Sequence, residues 1–123
     1  HIANRGHSRP IAVKPLAEGL SMLTSQEIND GRNSRIRAFL PKFEAASPPD
    51  PDTGDWTDWR ALLADGTTDI NIGPSSAMCI ASSWGFGTVS STLLALPAAY
   101  SENSTGIYLF APGRPDQTDY QSV

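Results

Sequence analysis

The chain contains a single cysteine, Cys79, among 123 residues. One thiol cannot make an internal disulfide, so a small secreted scaffold held by cross-links is excluded and a reducing cytosol suits the composition. Long apolar runs are missing too. The longest, Leu93 to Tyr100, is interrupted by Pro97 and falls well short of the roughly 18 residues that a membrane-spanning helix needs, so no membrane insertion is expected. Cations are scarce: nine Lys and Arg against 13 Asp and Glu leave a formal charge of −4. Arg32, Arg35, Arg37 and Lys42 share one short stretch and form no basic stripe. Phosphate neutralisation supplies most non-specific affinity for nucleic acid, and a surface of this sign opposes it. The opening residues lack both the apolar core of a secretory signal and the Arg-rich amphipathic pattern of a transit peptide, and His1 reads as a cut end.

Motifs for familiar chemistry are absent as well. No Gly-x-Ser-x-Gly elbow occurs. Gly85-Phe86-Gly87 is not a dinucleotide fingerprint, because Ser90 occupies the third glycine position and the segment precedes a strand instead of opening a helix. Asp50 to Asp55 resembles a calcium loop only in part: Pro51 stiffens it, Gly54 replaces a ligand, and Ala61 stands where a closing Glu would be. His1 and His7 have no cysteine or carboxylate at metal spacing. Neither a metal nor a cofactor is therefore expected. Cys79, in an apolar segment, reads as a small core residue and not a nucleophile. Asn103-Ser104-Thr105 fits a glycosylation sequon but reads as a polar turn when no secretory route is evident.

What is present is one domain's worth of alternating elements. Ile2 to Asn4 carries at most a short strand. Ile11 to Val13 and Leu20 to Thr24 read as two strands joined as a hairpin-like pair, the second apolar on both faces. Asn33 or Ser34 can cap a helix whose Ile36, Phe39, Leu40 and Phe43 fall on one stripe, with Pro41 expected to kink or shorten it. Ala46 to Gly54 is a loop. Asp55 can cap a second helix carrying Trp56, Trp59, Leu62 and Leu63, with Asp58 in a weak capping box. Met78 to Ala81 reads as a strand, followed by a turn from Ser83 to Gly87. Thr88 to Leu96 is the clearest strand, apolar on both faces in its second half, and Tyr108 to Phe110 another. Ala111 to Val123 is a tail, residues 112–123 of it lying on the surface. The sum is an α+β fold with a mainly antiparallel sheet and two helices on one face. Strands apolar on both sides need two layers of cover, and two helices supply one. The other must come from an upstream segment of the same protein or from self-association with a second copy.

Several segments in order resemble bacterial proteins of the NRDE family, relatives of the transport and Golgi organisation proteins. They are Glu18 to Thr24, Asn29-Asp30, Ser34-Arg35-Ile36, Leu40 to Phe43, Pro49 to Asp52 leading into Gly54-Asp55-Trp56, Gly85 to Leu93, and Phe110 to Asp116. The resemblance spans Pro15 to Val123 and lies in the order and spacing of these pieces together. It implies the C-terminal part of a single NRDE-type domain, an αββα sandwich like that of N-terminal-nucleophile amide hydrolases. There an N-terminal cysteine would be the nucleophile and its own amine the base. Neither that cysteine nor the family's Asn-Arg-Asp-Glu motif occurs in this sequence, so no catalytic residue is expected in this chain. By the same resemblance, Thr24, Asn29, Thr88, Ser90 and Ser91 would contribute to the wall of a substrate pocket for a small-molecule amide.

Thr88, Ser90 and Thr92 would then share one strand face as a row of hydroxyls, although such residues also suit a strand packed on a neighbouring layer. Val89 stands where many family members carry Arg, so no anion-binding arginine is carried over. Arg35 and Arg37 fall in a helix's first turn, where cations are disfavoured, which points to pairing with Glu27 or Asp30 or to a bound anion. Asn29-Asp30 serves either the pocket or an Asx turn that starts the helix. A second reading of the family is a carrier of haem or a lipid-like cofactor. Both histidines are terminal and Met22, Met78 and Cys79 look buried, so no axial ligand stands out.

Overall fold

The computed structural model describes residues 2–4, 12–81, 85–98 and 105–123. His1, His7, the Ser83-Trp84 part of the expected turn and Asn103-Ser104 of the sequon lie outside the described residues. The fold is α+β, with helices and antiparallel sheets. Strands β1 (Ile2–Asn4) and β2 (Ala12–Lys14) pair antiparallel, Ile2 opposite Lys14. Helix α1 (Ser34–Ala45) and helix α2 (Thr57–Leu63) follow, then a single 3-10 turn at Pro74–Ser76. Strands β3 (Ser91–Ala95), β4 (Ile107–Ala111) and β5 (Gln121–Ser122) form an antiparallel sheet in the order β3-β4-β5.

Helix α1 starts where its sequence places the cap. The Asn33 side chain accepts the N–H of Arg35 at 3.0 Å and of Ile36 at 3.3 Å, satisfying two donors that a helix start leaves without partners. The apolar stripe is used as expected: Ile36 and Phe39 are buried, and Leu40 and Phe43 half-buried. Pro41 does not end the helix, which runs on to Ala45. Proline removes one N–H and crowds one carbonyl, and here the remaining ladder and the buried stripe outweigh that local cost.

Asp50 and Asp55 exchange backbone hydrogen bonds of 2.8 and 2.9 Å across the Pro51–Gly54 turn, with Gly54 at a φ of 76° that suits a residue lacking Cβ. This delivers the chain into α2. Trp56 holds the cap position, while Asp55 accepts the N–H of Thr57 at 3.0 Å from one residue earlier. Asp58 does not complete a capping box; its carboxylate accepts the Ser47 N–H at 2.8 Å and ties the loop to the helix start. Trp59 meets Phe43 edge-on, ring centroids 5.4 Å apart, which joins the two helices.

Four expectations are corrected. Leu20–Thr24 is not a strand, and β2 pairs with β1 in its place. The segment is held by Asn29, whose side chain and N–H supply the bonds a neighbouring strand would. Met78–Ala81 is irregular: single bonds from Cys79 N–H to Asp65 O and from Thr88 N–H to Ile80 O, each 2.9 Å, replace a ladder. The long strand is confined to Ser91–Ala95, so Thr88 and Ser90 lie outside it and do not form a row with Thr92. Finally, the tail returns as β5 along β4, with Leu109 opposite Ser122 and Phe110 opposite Gln121.

The two faces of β3 and β4 differ. Ser91, Leu93 and Ala95 pair with Ala111, Leu109 and Ile107 on the inner face, where Leu93 and Ala111 are buried. Thr92 and Leu94 pair with Phe110 and Tyr108 on the outer face. There Leu94 is 57% and Tyr108 39% exposed, and Leu96, just beyond the strand, is 75% exposed. On the same face Phe110 is half-buried.

Candidate functional site

The five residues expected at a pocket wall fall into two places. Thr24 and Asn29 belong to the loop before α1. Asn29 donates its N–H to the Met22 carbonyl at 3.0 Å and accepts the Met22 N–H on Oδ1 at 2.6 Å, closing the intervening loop. Its φ of 53° is left-handed, a conformation asparagine tolerates better than most residues. Thr24 Oγ1 accepts the Gln26 N–H at 3.2 Å and the Asn33 side-chain amide at 3.4 Å. This chain of side chains links loop to cap, so Asn29 and Thr24 set the position of the α1 start.

Thr88, Ser90 and Ser91 lie at the entry to β3. Thr88 Oγ1 accepts the Ile80 N–H at 2.9 Å. Ser91 Oγ and the Tyr120 hydroxyl lie 2.5 Å apart on the inner side of the sheet. Ser90 is exposed. No hydrogen bond among the described residues joins this group to Thr24 or Asn29. Thus Thr24, Asn29, Thr88 and Ser91 each hold a partner within the chain, and the hydroxyls of Thr88 and Ser91 help fasten neighbouring segments.

Tyr120 was invisible as a partner in the sequence because it lies 29 positions from Ser91. The Arg60 guanidinium sits 5.1 Å from the Tyr120 ring centroid, so the C-terminal segment bridges α2 and the sheet. A second fastening lies nearby. The buried Cys79 thiol donates to Asp116 Oδ1 at 3.2 Å, and Arg114 grips the same carboxylate with Nε at 3.0 Å and Nη2 at 2.5 Å. Burial, and then the Asp116 carboxylate, push the Cys79 thiol above its ordinary value. Its thiolate is thereby disfavoured, the opposite of what a nucleophile requires. Arg114, aided by the thiol, holds Asp116 down at about 2.

The first-turn arginines find carbonyls and not carboxylates, which corrects the expected pairing. Arg35 donates to Ser75 O and Arg37 to Gly31 O, each at 3.2 Å. Asp30 is taken by Arg32, with three side-chain bonds of 2.7 to 3.1 Å that hold its carboxyl at about 2. The arginine two residues after Asp30 satisfies it locally, leaving the helical pair to reach other loops.

Beside α1 lies a groove of about 230 Å³ lined in part by Ser34, Arg37, Lys42, Thr67 and Asp69. Its Lys42 is paired to Asp65 at 2.7 Å and lies 4.5 Å from the Phe39 ring centroid. The groove thus has a mixed, largely self-satisfied lining. Among the described residues no group of three or more His, Cys, Asp or Glu side chains could hold a metal ion, and no helix is long and apolar enough to cross a membrane. The chain matches no family model, no curated protein and no solved structure.

Proposed function

We propose that this chain is the non-catalytic C-terminal part of an NRDE-type protein resembling N-terminal-nucleophile amide hydrolases, and that it supplies one sheet and its helices to a larger αββα sandwich. The observation that carries the reading is the outer face of β3 and β4, where Leu94 is largely exposed and Tyr108 partly so, beside the exposed Leu96. Apolar side chains clustered on one sheet face are what a second layer buries. The protonated state favoured at Cys79 fits a chain without its own nucleophile. On this reading the five pocket-wall residues act mainly as frame. Thr24 and Asn29 fix the α1 start, Thr88 and Ser91 fix the entry to β3, and Ser90 is the exposed one among them. The substrate class is a small-molecule amide, the nucleophile is supplied from outside this chain, and the setting is a reducing cytoplasm.

The test uses the full product of the gene, including whatever is encoded ahead of His1. Its mature N-terminus is identified by mass spectrometry and its turnover of a panel of simple acyl amides measured. The expected result is an N-terminal cysteine whose replacement by alanine abolishes hydrolysis. A mature protein without that cysteine, or one that leaves every amide intact and gives a specific Soret shift on titration with haem, contradicts the proposal.

A further inference from the structure

We draw no further inference here: the strongest candidate, the uncharged edge of β3 beside the exposed Leu94, Leu96 and Tyr108, belongs to the sheet face on which the proposed function already rests, and nothing in the structure shows what covers it.

Discussion

Among the described residues, six of the eight buried apolar side chains lie outside the sheet: Ile36 and Phe39 on α1, Trp56 at the start of α2, and Ala77, Cys79 and Ile80 in the segment after the 3-10 turn. The sheet contributes the other two, Leu93 and Ala111. In the helical region each apolar stripe ends against a neighbour in the same stretch of chain: Phe43 meets Trp59, and α1 contacts both α2 and the 3-10 turn. The sheet is made differently. Leu93 points inward and is buried, while Leu94, one residue on, points outward and is more than half exposed. Alternation along a strand is strict, so apolar residues at successive positions place one on each face of the sheet. The two helices thus bury apolar residues against one another, and the sheet leaves Leu94 exposed on its outer face.

The sharpest way to break this comparison is to damage the helical core. Phe39→Ala should destabilise the chain by about 3–5 kcal/mol, since a fully buried aromatic loses both its transfer energy and its packing. Urea unfolding followed by far-UV circular dichroism measures it; a cost below about 1.5 kcal/mol, typical of a tolerated volume-conserving swap, would mean the helices do not form the main core. Leu93→Ala should come next, at about 2–5 kcal/mol and toward the lower end, because its inner face is shared by fewer buried neighbours. Asn33→Ala removes the α1 cap and should cost about 1 kcal/mol, seen as a lower unfolding midpoint at unchanged slope.

Acid tests how the peripheral ties compare with the core. Burial alone would raise the Asp65 carboxyl, but Lys42 and the Thr67 hydroxyl and N–H outweigh it and hold it at about 2 against an ordinary 3.8. Asp116, gripped by Arg114, is held likewise at about 2. A carboxylate with a lowered folded-state pKa contributes fully above its unfolded value and loses that contribution as protons bind the native form. Stability should therefore decline as pH falls from about 4 toward 2, with little change between pH 5 and 7 from these two groups. The effect should be small, because exposed pairs of this kind are worth about 0–1 kcal/mol. Asp65→Asn should flatten part of the decline, and an equally steep acid limb in that variant would remove Asp65 as a cause.

Two helices followed by the strand pair β3 and β4 were legible in the sequence and hold in the structure, whereas Leu20 to Thr24 and Met78 to Ala81 are not strands and β5 was not foreseen. Helix α1 was readable because its determinants are local: Asn33 reaches two N–H groups within three residues, and the stripe repeats at helical spacing. Leu20 to Thr24 misled because an apolar run says nothing about whether a partner strand is available. Asn29 satisfies Met22 with a side chain, which no strand pattern encodes. Strand β5 was missed for the converse reason. Gln121 and Ser122 carry no β signal and are strand only because β4 offers its edge. At the candidate site, residue types were readable but engagements were not. Ser91 with Tyr120 and Cys79 with Asp116 are contacts over 29 and 37 positions, set by how the C-terminal segment folds back.

The most direct measurement is the stability of the Leu94→Lys variant of this chain beside that of Leu93→Ala. With the outer face open to water, the lysine should change the unfolding free energy by no more than about 0.5 kcal/mol, as for surface substitutions elsewhere. A loss as large as that of Leu93→Ala would show that the chain covers this face itself, and would contradict the account.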